Sequence, residues 1–577
     1  MRSNNIKFVY SYMRQYVGVW IAGILLTILA SFIQIKYSWL IQQLIDDALL
    51  PKKFELLLRL CIQFFALVII CSLLSFIKEW CFNYVSQKTI IKMRTDLFLH
   101  LIKLPYSFFV KNDEGEIINK IINDVKNTQD AFSDYIISLL TSIITSAFIV
   151  IWLFIVNWKL TILFLAIVPI FCLVTNKIWK IINKLGHKNS ELTGELTGFL
   201  QEVISSVIII KMSGGTYFIN KLKEICELLA ENVIKLRMSS AFNNSLWESI
   251  LTPYQAIYYL IGGYWYIKYG TPSIGTMLVF VNLVGILIPN TLTILDSISG
   301  MANGVASLER IRELLNCKEE ESGELQLDLQ DDITIKFDNV GFKFDDSNFE
   351  IKNFNLILKQ GDFLTIVGQT GSGKSTILKL LVRLYDVDKG EITINGINIK
   401  NYRLADLRKH FGFLQQDMYI VKGSIKDNIL LEDNSITDEQ IKNAICMAKL
   451  DDFINHNLQG IFTVIGERGK TLSGGEKQRL SLARMLAGGL NKIVIMDEPT
   501  SALDIETERE ILKEIAPMLK QRIAIAIDHR LATLNMATKI IVMKKGMIIE
   551  EGTYEELMKK GGEFHELVNT KYTKGIQ

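Results

Sequence analysis

Proline is scarce in this chain, with 8 in 577 residues. Little therefore stands in the way of long uninterrupted helices. Cysteine is scarcer still, and the 7 present form no Cys-x-x-Cys pair and have no histidine cluster beside them. That spacing excludes a zinc ribbon and a disulfide-stapled scaffold. Cys61, Cys71 and Cys81 fall in or next to an apolar run, where a free thiol behaves as a small hydrophobe, so all seven read as reduced and structural. Net charge is missing as well: 63 basic and 61 acidic side chains leave +2. No basic stripe stands out, which argues against a nucleic-acid partner.

What the chain has in excess is apolar surface. Hydrophobic residues make up 49% and the mean hydropathy is +0.25, which over this length places a large share of the chain in lipid. Hydropathy divides it near residue 320. Before that point come six apolar segments, Val17–Ile35, Leu60–Ile77, Ile136–Val156, Leu160–Asn176, Ile250–Ile267 and Ser273–Leu295. Each is close to the ~20 residues a helix needs to cross ~30 Å of hydrocarbon, and helices are favoured because they satisfy their own backbone. Buried core helices would explain one or two such runs, not six. Arg2, Lys7 and Arg14 precede the first run as in a signal peptide, but the run is too long and no small-residue cleavage site follows, so it reads as an uncleaved first span.

Loop charge gives an orientation. Lys88, Lys92, Arg94, Lys103, Lys111, Lys120 and Lys126 lie between spans two and three, and a second basic series runs from Lys177 to Arg237 between spans four and five. The alternate loops are short and poorer in charge. Positive residues stay on the cytoplasmic side, so both termini and both long loops are expected there, in the cell membrane. The long loops are helix-like, which predicts spans that continue beyond the bilayer. Glu248 and Asp296 lie near the inner ends of spans five and six; they suit a cationic cargo at the mouth, or simply hydrated helix ends and local ion pairs.

The acidic stretch Lys318–Glu324 leads into an alternation of short β-rich runs and helical stretches. Ile392–Ile394 and Ile397–Ile399 flank Asn395-Gly396, which predicts a hairpin with a type I′ turn. The apolar run Phe363–Val367 reads as a buried strand that feeds straight into Gly368, Gln369, Thr370, Gly371, Ser372, Gly373, Lys374, Ser375 and Thr376. This is a P-loop in its required strand–loop–helix context. The glycines let backbone N–H groups turn inward around phosphate oxygens, and the next helix adds its N-terminal dipole. Lys374 suits the β- and γ-phosphates of ATP, and the Ser375 hydroxyl suits Mg²⁺. Further on, Ile493–Met496 ends in Asp497 and Glu498. Asp497 fits the Mg²⁺ shell, and Glu498 is placed to orient or deprotonate the attacking water. His529 follows the apolar strand Ile523–Ile527; a lone histidine is more often structural.

Between these elements lies Leu472-Ser-Gly-Gly-Glu476, and the ordered set now resembles the ATP-binding cassette (ABC) transporters, in particular an exporter-type half-transporter. The set comprises the P-loop, Leu414–Asp417, Thr463–Gly469, the Leu472–Glu476 signature, Asp497-Glu498, Ser501–Asp504 and His529–Leu531. In the other half, Phe108-Phe109 with Gly115–Ile117, and Leu308–Ile311, are similar to the family's first intracellular loop and the end of its sixth span. The resemblance implies an α-helical transmembrane bundle of six spans, type IV exporter-like, followed by an α/β P-loop NTPase cassette. The corresponding divisions are a membrane domain over 1–318, a linker over 319–331 and a nucleotide-binding domain over 332–577.

It also implies roles. Ser473, Gly474 and Gly475 would contact the γ-phosphate of ATP held by a second cassette. Gln416 would sense Mg²⁺ and link the site to the membrane half, His529 would contact the γ-phosphate, and Asp504 would cross the dimer interface. Phe344 stands where the family has a tyrosine stacked on adenine. Segments near Tyr106–Ile118 and Met212–Phe218 would be coupling helices. Glu476, Val464 and Asp528 depart from the usual glutamine, glutamate and small residue. One chain carries one cassette and no internal repeat, so a second half-transporter subunit is needed, and the intact motifs favour a homodimer. The expected activity is ATP-driven export of a drug, lipid or peptide by alternating access. A membrane ATPase that senses rather than transports, and an importer on the same fold, share these features. A soluble cassette ATPase does not.

Overall fold

The long apolar runs of the first half wind into helices far longer than a bilayer requires. In the computed structural model, residues 2–573 are described apart from 330–331, 345–348, 417, 432, 434, 467–468, 470–471 and 489–491. Within helices, the side chains of 2–7, 163–176, 244, 247–248, 250–254, 299 and 570–573 also lie outside the described residues. The chain forms two units, one built from Met1–Leu101 and Gly115–Asn316, the other from Ile102–Glu114 and Cys317–Gln577.

The first unit is helical. Among the described residues four helices are long and apolar enough to cross a membrane: Phe8–Leu49, Phe54–Ile102, Glu114–Ile162 and Ile274–Leu315. The expected fourth and fifth spans fall inside the helices Ile136–Ser205 and Thr216–Tyr269; most side chains of the fourth, and the first of the fifth including Ile250, lie outside the described residues, as does Glu248. The separation of spans three and four is visible at Asn157, whose φ of −161° and ψ of 98° break the helix. The Thr161 hydroxyl donates to the carbonyl of Leu153 at 2.8 Å. Eight residues of straight helix would separate the two Cα atoms by ~12 Å along the axis, too far for that contact, so the helix is interrupted here.

Packing in this unit centres on Ile149, Leu153, Leu160, Tyr258, Phe280 and Leu283, with Tyr258 and Phe280 stacked at 4.5 Å. Helix Ile274–Leu315 approaches its neighbour so closely that a Cβ at Gly304 would lie 1.9 Å from that of Ala131, a small-residue contact suited to helices in lipid. Lower on the same helix, Arg310 Nε donates to the buried Asp124 Oδ2 at 2.8 Å, and Nη2 reaches Ser307 Oγ at 3.0 Å. The short separate helix of the second long loop is Val207–Ser213, bent 78° from Lys177–Ser205. It ends inside the Met212–Phe218 segment singled out in the sequence, because Gly214 and Gly215 both take positive φ.

Among the described residues, the second unit contains two larger sheets and a short two-stranded pair. Its strands are β1 (Thr334–Lys343), β2 (Glu350–Lys359), β3 (Phe363–Gly368), β4 (Lys389–Ile394), β5 (Ile397–Asn398), β6 (Phe411–Leu414), β7 (Gly423–Ser424), β8 (Val464–Ile465), β9 (Ile493–Asp497), β10 (Ile523–Ile527), β11 (Lys539–Lys544) and β12 (Met547–Gly552). The antiparallel sheet runs β2-β1-β4-β5, and β7 pairs with β8. The predicted hairpin is present, with Ile394 opposite Ile397 and positive φ at Asn395 and Gly396; Ile399 starts a 3-10 turn instead of extending β5. The main sheet runs β12-β11-β3-β10-β9-β6. Its five strands from β11 to β6 are mutually parallel, and β12 is an antiparallel edge. The strands β3, β10 and β9 read as continuous apolar runs because both faces are covered. One face joins the antiparallel sheet in a core that includes Leu364, Ile366, Ile495 and Ile525. The other packs on helices Ile425–Leu430, Asp438–Met447, Gly474–Ala487 and Ile505–Leu519 through Val494, Met496 and Ala526.

Two further segments belong to this unit. Arg408 holds Glu320 in a two-pronged pair at 2.8 and 2.9 Å, so the acidic stretch is pinned rather than free. The Ile102–Glu114 segment packs through Tyr106, whose ring meets Tyr385 at 5.6 Å and lies 5.5 Å from the Lys379 ammonium.

Candidate nucleotide site

Parallel strands β3, β10, β9 and β6 are immediate neighbours, and each ends in one of the sequence-predicted elements. Beyond β3 lies the P-loop, beyond β10 His529, at the end of β9 Asp497 and Glu498, and beyond β6 Gln416. With strands ~4.8 Å apart, four loops that are remote in sequence reach one edge of the sheet. This carboxyl edge is where open α/β sheets bind ligands.

The P-loop owes its path to positive φ at Gly368, Gly371 and Gly373, of 152°, 79° and 103°. A Cβ on Gly368 would lie 2.3 Å from the carbonyl of Met543, so only glycine lets β3 turn there beside β11. Lys374 Nζ donates to the carbonyls of Gly368 and Gln369 at 2.9 and 3.0 Å, which draws the ammonium back over its own loop. Among the described residues, the buried hydroxyl of Ser372 has no hydrogen-bond partner. An orphan donor in the P-loop fits an anion such as the phosphates of ATP. Burial pushes the Asp497 carboxyl above the usual carboxylate range, and the nearby Ser375 hydroxyl lowers it by less. An adjacent hydroxyl and carboxylate are the hard oxygen donors that Mg²⁺ selects.

Glu498 has a left-handed backbone, φ 49°. Its N–H donates to Ile527 O at 2.9 Å, and its carbonyl accepts from Gln478 Nε2 at 3.0 Å. Gln478, buried on the signature helix, also accepts the N–H of Ala502 at 2.9 Å. The side chain of Glu498 accepts from Gln416 Nε2 at 3.2 Å, so these two predicted residues do meet. Asp417, beside Gln416, and Glu467 and Arg468 of the Thr463–Gly469 motif lie outside the described residues.

His529 is exposed and lines a cavity of ≈ 360 Å³ with Gly368, Gln369 and Thr370. Asp528, the unusual residue before it, is buried. Its Oδ1 accepts the N–H groups of His529 and Arg530 at 2.6 and 3.1 Å, and its Oδ2 accepts the Thr533 hydroxyl at 2.6 Å. The departure therefore has a local structural role.

The signature residues sit elsewhere in the cassette. Ser473 caps the helix Gly474–Ala487 in a reciprocal box: Glu476 Oε2 accepts the Ser473 N–H at 2.7 Å, and Ser473 Oγ accepts the Glu476 N–H at 3.3 Å. Glutamate serves this box as glutamine would. Among the described residues, the hydrogen bonds of Ser473 stay within its own helix. Asp504 caps the helix Ile505–Leu519 by accepting the Thr507 N–H at 2.9 Å, which holds its carboxyl below the usual range. Phe344 is half-buried, edge-on to Phe342 at 4.8 Å and to Tyr385 at 5.3 Å. Sequence reasoning passed over Tyr385 and Gln478 and named Arg530 only within the His529–Leu531 motif, because the partners of each lie far away along the chain.

A family model described as the ABC transporter transmembrane region matches residues 20–290, and one described as ABC transporter matches residues 351–501. An ATP-dependent lipid A-core flippase of Desulfotalea psychrophila is 31% identical, covering 92% of this chain and 93% of its own. The chain belongs to the ABC transporters. A putative multidrug export ATP-binding/permease protein of Staphylococcus aureus is 30% identical over 97% of this chain and 98% of its own. This ABC transporter chain also has the fold of a solved bacterial Atm1-family ABC exporter with ATP bound, at a TM-score of 0.81, with 23% identity and coverage of 97% and 98%. It combines a helical transmembrane domain with an ATPase cassette, the make-up of an exporter-type half-transporter, in which ATP hydrolysis is coupled to transport.

Proposed function

We infer that the chain is one half of a homodimeric exporter of the cell membrane, with six spans per subunit and with both termini and the cassette on the cytoplasmic side. The observation that carries the reading is the delivery of the P-loop, His529, Asp497–Glu498 and Gln416 to one sheet edge by four adjacent strands. Lys374 and the inward N–H groups hold the β- and γ-phosphates of the substrate ATP. Ser375, Asp497 and Gln416 hold Mg²⁺, which offsets charge on the phosphate oxygens. Phe344 stacks on adenine. Glu498 orients the attacking water and accepts its proton, and His529 contacts the γ-phosphate.

Ser473, Gly474 and Gly475 serve the site of the second copy, with Asp504 at the interface. That arrangement suits Ser473, whose hydrogen bonds among the described residues stay within its own helix. ATP drives the cycle because it binds the closed pair of cassettes better than the open pair, and closure turns the bundle outward. The cargo is a lipid, drug or peptide; the names of the relatives, a lipid A-core flippase and a multidrug exporter, favour the first two.

Glu498→Gln tests the site. The variant is expected to bind ATP, trap a closed dimer and lose at least about 10²-fold in turnover, and ATP-dependent uptake into inside-out vesicles should stop with it. Hydrolysis by the purified variant at near wild-type rate would overturn the role given to Glu498. An ATPase stimulation screen in lipid nanodiscs across drugs, lipids and small peptides identifies the cargo.

A further inference from the structure

Arg530 lies directly after His529, yet its side chain serves a different loop. Its Nη1 donates to Glu508 Oε2 at 2.6 Å and to the carbonyl of Leu503 at 3.3 Å, and its Nη2 donates to the carbonyl of Ser501 at 3.1 Å. Glu508 is almost fully buried, and its other oxygen accepts the Thr500 hydroxyl at 3.0 Å. One guanidinium therefore grips the Ser501–Asp504 loop from beneath and anchors it to helix Ile505–Leu519. The backbone of Arg530 is held in turn, because Asp528 accepts its N–H together with that of His529. A continuous set of hydrogen bonds thus runs from His529 through Asp528 and Arg530 to the loop after β9.

We propose that Arg530 is a positioning residue that ties the His529 loop to the Ser501–Asp504 loop, so that phosphate contact at one ATP site sets the loop that reaches the other. The proposal rests on the reading above, in which His529 and Asp504 serve different sites of a dimer. Its chemistry depends on the planar fork of arginine. A lysine ammonium keeps the charge opposite Glu508 but, as a compact point charge, does not span a carboxylate and two carbonyls at once. A residue that merely clamped two helices would be served by either cation.

The experiment uses the full-length protein in lipid nanodiscs, with Arg530→Lys, Asp504→Ala and the double variant. Arg530→Lys is expected to bind a fluorescent ATP analogue within about twofold of wild type and to keep its thermal midpoint within about 2 °C. Its kcat should fall about 10- to 100-fold, as misplacement of a catalytic loop does. In the double variant the two losses should not multiply, since both act on one connection. Wild-type turnover in Arg530→Lys would overturn the proposal. So would a kcat loss matched by a large fall in midpoint, or losses that multiply. Should Arg530→Lys fail to fold, Glu508→Gln, which keeps one oxygen to accept from Arg530 and turns an NH2 towards the Thr500 hydroxyl without the charge, carries the same cycle. Glu498→Gln in the same series separates the two levels: active Glu498→Gln defeats the reading of the site, whereas inactive Glu498→Gln with fully active Arg530→Lys defeats the positioning role alone.

Discussion

The ring of Tyr385 stands edge-on to the ring of Phe344, with centroids 5.3 Å apart and planes at 90°. The same tyrosine meets Tyr106 at 5.6 Å and 86°. An aromatic file therefore connects the segment Ile102–Glu114 to the residue proposed to stack on adenine. Each such pair is worth about 0.5–1.5 kcal/mol beyond its area. Tyr385→Leu is expected to raise the ATP concentration for half-maximal turnover about 5- to 10-fold, while Tyr385→Phe stays near wild type, as steady-state ATPase titrations would show. Equal values for both variants would dismiss the file as packing alone.

Burial pushes the Asp497 carboxyl above the usual carboxylate range, outweighing the nearby Ser375 hydroxyl that lowers it. A raised carboxyl favours its protonated form in the fold. The nucleotide-free cassette therefore gains stability as pH falls through the raised value towards the ordinary one, and loses that gain above it. Binding of Mg²⁺ needs the anion, so the sign there is opposite. The Mg²⁺ concentration for half-maximal ATPase should climb on acidification at pH values above the ordinary aspartate range. Asp497→Asn should remove that dependence, and a flat Mg²⁺ titration across the pH series would refute the assignment.

Asp124 is almost fully buried and held by Arg310. Removing one partner of a buried pair leaves an uncompensated charge, at about 3–5 kcal/mol. Arg310 is half exposed, so Arg310→Met should fall towards the lower end, seen as a reduced thermal midpoint in detergent. Asp124→Leu combined with Arg310→Met should recover most of the loss. A double variant as unstable as the single one would argue against charge burial as the cause.

Gly304 leaves no room for a side chain against Ala131. Gly304→Leu should cost at least the roughly 1–3 kcal/mol of an overpacked core, lowering the yield of monodisperse protein on size exclusion. Ala131→Gly in the same chain should restore part of it.

Several features were legible locally. The turn at Asn395-Gly396 and the path of the P-loop follow from residues that tolerate positive φ, and the apolar runs of β3, β9 and β10 announce strands covered on both faces. The Asp497–Glu498 pair and His529 stand out because each follows such a run. What escaped was set by contacts between distant positions. Glu320 is held by Arg408, Glu498 by Gln478, and Phe344 by Tyr385, and no periodicity reports these meetings. The start of the helix Val207–Ser213 was missed because its end is signalled by Gly214-Gly215 while its beginning carries no comparable signal.

Glu498 takes a backbone conformation that costs a side-chain-bearing residue about 1–2 kcal/mol, a cost glycine does not incur, and Ile527 and Gln478 hold it there. The position assigned to proton transfer is therefore one where selection for durability alone would install glycine. In a library sorted only for heat resistance, Glu498→Gly should be enriched among survivors that no longer turn over ATP.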